Sequence, residues 1–150
     1  MKVFVDTSAF YALASSTDQA HAAAVTIHEH LKRVSAQLIT NNYVLLESIS
    51  LLQRRHGLAE ATRFGDAVGS RLSVVWMNEL QHGRVWEYWK RQSKRGLSLV
   101  DCSCFVVMHE LGVREAFTFD AQFRAAGFVP VIAPDGLVAE RRATYRVKRT

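Results

Sequence analysis

The chain opens Met1-Lys2-Val3-Phe4-Val5-Asp6-Thr7-Ser8-Ala9-Phe10, and no other stretch limits its fold as sharply. A short apolar run, Val3 to Val5, ends on a carboxylate. Two hydroxyl residues follow, and then Ala9, Phe10 and Leu13 begin a helical spacing. That order reads as a buried strand whose carboxyl end hands an acid to the start of a helix. Open α/β sheets place ligand sites at the carboxyl ends of their strands. Asp6 is then either a site residue or an acid that serves the helix start, a task that Thr7 or Ser8 could also perform as caps.

The rest of the chain repeats the alternation. Asp18 to Val34 reads as a helix capped by Asp18, with Ala22, Val25, Ile27 and Leu31 on its apolar side. Gln37 to Thr40 is a short extended piece. Asn41 or Asn42 starts a second long helix that stops near Gly57, and Leu58 to Val68 is another. Leu72 to Trp76 is β-branched and strand-like. Glu79 to Gln92 returns to helix, with Leu80, Val85, Trp86 and Trp89 as its apolar side, followed by the basic loop Lys94-Arg95-Gly96. Leu99 to Leu111 is a strongly apolar helix, and Ala116 to Thr118 and Val129 to Ile132 are the remaining strand candidates. Strands alternating with helices predict an α/β fold with a mostly parallel sheet covered by helices. The 150 residues suit one domain, here 1–135. Residues 136–150, with Arg141, Arg142, Arg146, Lys148 and Arg149, read as a basic extension.

Composition narrows the function classes. With 49% hydrophobic and 22% charged residues the chain is neither disordered nor fibrous. Its longest apolar runs fall far short of the ~18 residues a membrane span needs. Asp6 arrives before a secretory apolar region could fit, so a cytoplasmic protein without membrane contact is expected. Cys102 and Cys104 stand too close together for a disulfide staple, and no second pair completes a zinc site, which leaves them as small buried residues. The formal net charge of +5 favours a polyanionic partner, nucleic acid first.

Four of the 14 acidic residues sit in apolar company. Asp6 ends the first strand. Glu47 interrupts Tyr43-Val44-Leu45-Leu46-Glu47-Ser48-Ile49. Asp101 lies between Leu99-Val100 and the apolar run that begins at Cys102. Asp120 follows Ala116-Phe117-Thr118-Phe119. Acids in such places are paired, capping or metal-bound. Asp101 and Asp120 could cap helices, and Glu47 could meet Arg54 or a distant base. If the four converge, each like-charge pair about 5 Å apart costs roughly 3 kcal/mol at an effective dielectric of about 20. Neutralising one should then stabilise the metal-free protein, and a hard divalent cation would remove the conflict. Oxygen-only ligands favour Mg²⁺ or Mn²⁺ over zinc. Such a site suits phosphodiester cleavage by a metal-activated water.

The ordered set Val5-Asp6-Thr7-Ser8-Ala9, Thr40-Asn41-Asn42-Tyr43-Val44-Leu45-Leu46-Glu47, Ser98-Leu99-Val100-Asp101-Cys102-Ser103 and Thr118-Phe119-Asp120-Ala121-Gln122-Phe123 resembles the PIN-domain ribonucleases. It is similar above all to the VapC-type toxins of bacterial toxin–antitoxin pairs, and the match runs from Lys2 to about Ile132. The resemblance implies a Rossmann-like α/β/α sandwich with a central parallel sheet. It also implies Mg²⁺- or Mn²⁺-dependent endoribonuclease activity on RNA, homodimerisation and inhibition by a small cognate antitoxin. Carried over by position, Asp6, Glu47, Asp101 and Asp120 become the catalytic, metal-binding acids. Thr7, Ser8, Ser103 and Thr118 become supporting or phosphate-side hydroxyls. The basic tail has no counterpart in that pattern.

Other constellations fail on particular residues. Aspartic proteases need Gly where Ser8 stands, haloacid-dehalogenase phosphatases need Asp there, and a receiver domain needs Asp after its middle strand where this chain has Met77-Asn78. Neither His28-Glu29 nor His109-Glu110 completes His-Glu-x-x-His. Trp86 and Trp89, three apart, fit core or dimer contact better than base stacking. Arg54-Arg55 and Lys90-Arg91 are either solvated faces or phosphate contacts. The competing function class is a non-catalytic PIN-like module that holds RNA or a protein without cutting it.

Overall fold

A computed structural model describes residues 1–92 and 96–134. Most of the Lys94-Arg95-Gly96 loop and the whole basic extension, including its boundary at 135, lie outside the described residues. The elements run β1 (Lys2–Val5), α1 (Thr7–Ala14), α2 (His21–Arg33), β2 (Gln37–Asn41), α3 (Asn42–His56), α4 (Leu58–Val68), β3 (Ser73–Val75), α5 (Glu79–Arg91), α6 (Leu99–Leu111), β4 (Glu115–Phe117), α7 (Ala121–Ala125) and β5 (Val129–Pro130). The five strands form one sheet in the order β3-β2-β1-β4-β5. Every pairing is parallel, with Phe4 level with Ile39 on one side and Ala116 on the other. This is the expected α/β class, and parallelism puts all the strand carboxyl ends on one edge.

β1 lies at the centre, which explains its unbroken apolar run. Strands covered on both faces bury every residue, and Val3, Phe4 and Val5 are at most 1% exposed. On one face α6 contributes eight consecutive buried residues, Asp101 to Met108, including both cysteines. Phe105 anchors this layer against Phe123 and Phe128, with ring centroids 5.0 and 5.3 Å away.

Several boundaries differ from the sequence expectation. Asp6, not Thr7 or Ser8, caps α1: its φ of −100° and ψ of 176° are extended and its side chain accepts from the Ala9 amide. Thr7 and Ser8 are already helical. α2 begins three residues after Asp18, whose carboxylate instead accepts from the Ala20 amide two residues on, a turn that delays the helix. The buried face of α2 is Ala23, Ala24, Ile27 and Leu31, while Ala22 and Val25 face solvent. β3 is shorter than expected, and Trp76 beyond it is 71% exposed. β4 starts and ends one residue early, and β5 stops at Pro130. On α5 only Val85 is fully buried. Trp89 packs against the core, whereas Leu80 and Trp86 are exposed. α3 stops at Gly57 as expected, with φ +92° and its amide on the Gln53 carbonyl.

Candidate active site

The carboxyl edge of the sheet is fastened by polar side chains, each standing where an apolar strand ends. The Asp6 amide extends the ladder by donating to the Phe117 carbonyl at 3.2 Å. The Asp6 side chain, 2% exposed, then collects donors from three places. Its Oδ1 accepts from Ser8 Oγ at 2.6 Å and from the Ala9 amide at 3.2 Å, and its Oδ2 accepts from Thr118 Oγ1 at 2.9 Å. Ser8 Oγ accepts from the Phe119 amide at 2.8 Å, and Thr118 Oγ1 accepts from the Asp120 amide at 3.0 Å. These bonds lock the end of β1 to the segment leaving β4. Asp120 itself caps α7 through the Gln122 amide at 3.0 Å and is half-buried.

A second group holds α6 to β2. Asn41 is fully buried; its Oδ1 caps α3 at the Val44 amide (2.9 Å) and its Nδ2 donates to Ser103 Oγ (3.1 Å). Ser103 in turn donates to the Val100 carbonyl at 2.6 Å. Thr40 Oγ1 donates to the Val5 carbonyl at 2.9 Å, so β2 is also pinned to the residue before Asp6. Asp101 forms a reciprocal box with Ser98: the Ser98 amide donates to Asp101 Oδ2 at 3.1 Å and the Asp101 amide to Ser98 Oγ at 3.0 Å. Asp101 is nevertheless only 3% exposed. Its charge reaches the next residue, since burial first, and then Asp101, push the Cys102 thiol up to about 11. The N-termini of α1 and α6 both favour negative charge at Asp6 and Asp101.

The structure therefore joins Asp6, Ser8 and Thr118 directly and Asp120 through its backbone, and it ties Ser103 to Asn41. Glu47 is half-buried on α3 and forms no ion pair with Arg54. Thr7 Oγ1 is buried without a hydrogen-bond partner among the described residues. Asn41 is the residue that sequence reasoning placed only as a helix start. A Thr-Asn pair closing an apolar strand was the available signal, because a buried amide needs both a donor and an acceptor partner. The donor chemistry of the edge, all oxygen, fits a hard divalent cation. As the side chains stand, no three Asp, Glu, His or Cys among the described residues are gathered closely enough to hold one in common.

A model of the PIN domain family matches residues 3–129, from β1 to the start of β5. The chain belongs to the PIN-domain family. Among characterised relatives, the 23S rRNA-specific endonuclease VapC20 of Mycobacterium tuberculosis is 37% identical over 134 residues, covering 86% of this chain and 97% of the relative. The crystal structure of VapC20, described as a sarcin–ricin loop cleaving toxin, superposes with a TM-score of 0.77 at 32% identity. That match spans 87% of this PIN-domain chain and 98% of the other. The VapC type anticipated from the ordered acids is thereby established, and so is the α/β/α architecture. No helix among the described residues of this PIN domain is long and apolar enough to cross a membrane.

Proposed function

We propose that this PIN domain is a metal-dependent endoribonuclease, the toxin of a toxin–antitoxin pair, and that it cuts 23S rRNA at the sarcin–ricin loop. One observation carries the reading. The buried, hydrogen-bonded acids Asp6 and Asp101 lie in a chain that aligns over almost its full length with an endonuclease of that specificity. Asp6, Glu47, Asp101 and Asp120 are the residues that would hold Mg²⁺ or Mn²⁺. Once bound, the cation would polarise a phosphoryl oxygen and make a water nucleophilic near neutral pH. The chain's own contribution is order. Ser8, Thr118 and the Ala9 amide fix the plane of Asp6, so this carboxylate is held in one orientation. Glu47, which forms no ion pair among the described residues, is the acid whose rotamer is left to follow the bound ion and RNA.

The test is cleavage of ribosomes or 23S rRNA with Mn²⁺ and with chelator, mapped by primer extension. A single metal-dependent cut in the sarcin–ricin loop is expected, absent in Asp6→Asn. Identical patterns in both buffers, with RNA bound but intact, would establish the binding module instead. Expression of the wild type should arrest growth unless a small antitoxin is co-expressed, and light scattering will report whether the toxin is a homodimer. Added Mn²⁺ should raise the melting temperature of the wild type, and a temperature unmoved by metal would remove the cation from the proposal.

A further inference from the structure

The carboxyl edge continues past the acids to β3, where its chemistry changes. Asn41 is level with Val75, so Trp76 leaves β3 beside the start of α3. The Met77 amide donates to Asn42 Oδ1 at 2.7 Å and fixes that junction. One residue further, Asn78 and Gln81 close a reciprocal cap at 3.0 and 2.9 Å, which sets the first turn of α5. Trp76 thus stands on an anchored link, yet it is 71% exposed. Trp86, in contrast, lies against Trp89 with ring centroids 5.2 Å apart. Beside the junction, the Tyr43 hydroxyl is hydrogen-bonded to Nδ1 of the exposed His82, with the rings edge to face at 5.8 Å. A phenol keeps its proton at neutral pH, and donating it to Nδ1 puts the imidazole proton on Nε2. Tyr43 comes four residues before Glu47 on α3, so both lie on one helical face. From Leu72 to Gly83 there is no lysine or arginine, and Glu79 is the only acid.

We propose that this end of the edge is a nucleobase subsite, where an unpaired purine of the RNA stacks on Trp76 and accepts a hydrogen bond from His82 Nε2, whose tautomer Tyr43 holds. The proposal rests on the nuclease reading and adds which part of the RNA is gripped beside the cut. The lack of cations argues against a phosphate as the group recognised, since backbone binding relies on Lys and Arg to neutralise charge. An exposed indole on a fixed backbone loses little freedom when it stacks, and unpaired bases are the ligands such aromatic faces take. A purine is the better match. Its two rings cover more of the indole, and its N7 edge offers an acceptor to Nε2–H.

The test is RNA binding by the full chain with chelator present, using the pentamers UUAUU and UUUUU and following tryptophan fluorescence. The wild type should bind UUAUU about tenfold more tightly than UUUUU, and UUAUU should quench its fluorescence. Trp76→Ala should weaken UUAUU about tenfold at an unchanged urea midpoint. Trp76→Phe, which keeps a ring, should recover most of the affinity while the quenching disappears. His82→Ala should lower the preference for UUAUU about fivefold, the scale of one hydrogen bond, and Tyr43→Phe should lower it in the same direction. Equal binding of the two pentamers by the wild type, binding of neither, or indifference to Trp76→Ala would overturn the subsite. So would Trp76→Ala that weakens both pentamers equally and turns a dimer into monomers by light scattering, which would assign the indole to a contact between copies of the chain. Metal-dependent cleavage reads the nuclease assignment separately. Purine-selective binding by a chain that cuts nothing would sink that assignment and keep the subsite, and cleavage without purine preference would do the reverse.

Discussion

Replacing Asp6 separates what the acid does for the fold from what it does for catalysis, because Asn and Ala remove different parts of it. Asn keeps an oxygen where Oδ1 stands, so the bonds from Ser8 and the Ala9 amide survive, and Asn caps helices as well as Asp. What changes is the Thr118 contact, now 2.9 Å from Oδ2. Thr118 Oγ1 would have to accept from the new amide and aim its hydrogen at Ser8 Oγ, 3.4 Å away. The loss of charge assistance is about 1 kcal/mol, and the loss of a negative charge at the start of α1 adds roughly 0.3–1 kcal/mol. Asp6→Asn should therefore cost about 1–2 kcal/mol. Ala also removes the cap, roughly 1 kcal/mol, and strands two buried hydroxyl donors at about 1–3 kcal/mol each. Asp6→Ala should cost about 3–8 kcal/mol.

Repulsion among converging acids would give the opposite sign for Asn, a gain of stability in metal-free buffer. The hydrogen bonds should win, because the acids as they stand do not gather round one point. Urea denaturation with chelator present, at constant m-value, measures both variants. Asp6→Ala within about 0.5 kcal/mol of Asp6→Asn would refute the network argument, since mutants at this level are normally separable. A stabilised Asp6→Asn would instead restore the repulsion argument. Asp6→Asn that cuts RNA at the wild-type rate would sink the catalytic assignment whatever its stability.

Glu47→Gln should leave stability within about 0.5 kcal/mol of wild type, as for substitutions away from any bonded network, while abolishing RNA cleavage; a large loss of stability would mean the acid is structural. Asn41→Ala removes both the α3 cap and the link to Ser103, and should cost about 2–3 kcal/mol by denaturation, with loss below 1 kcal/mol refuting the bridging role. Cys102, with its thiol raised to about 11 and fully buried, should resist iodoacetamide at pH 8 in the folded protein and react in urea. Burial, and then the charge of Lys32, hold the folded pKa of His28 below its ordinary value of 6.5. Its contribution to stability is therefore whole above that value and is lost as pH falls through it. Denaturation midpoints at pH 8 and 5.5 should converge for His28→Gln relative to wild type, and equal pH slopes would remove His28 as the cause.

The acids and the fold class were legible because both come from interruptions of period. Asp6 stops the central strand, Asp120 follows the end of β4 by three residues at the start of α7, and Asp101 breaks an apolar helix in its first turn, so each marks a boundary that the hydrophobic pattern alone reveals. What the pattern could not show is which atom satisfies which. Asp6 displaced Thr7 and Ser8 as the cap because the extended residue at a helix start has the right backbone, and the Ser8 hydroxyl was needed across the sheet by Asp6 and Phe119. Asp18 likewise held a turn at Ala20 and not a helix.

Periodicity also identifies an apolar stripe without saying whether anything covers it. Ala22 and Val25 read as core on α2, and Leu80 and Trp86 read as core on α5, but the stripes that reach the sheet run through Ala24, Ile27 and Leu31 and through Val85. The same limitation explains Glu47. It reads as a buried acid because its neighbours are apolar, yet those neighbours turn different ways, with Val44 buried, Leu46 68% exposed and Ser48 buried. Glu47 stands at the margin between the buried stripe and solvent. That is where a carboxylate can stay hydrated until a cation and RNA arrive, so the half-exposure that makes it illegible as a structural residue is what its proposed role requires.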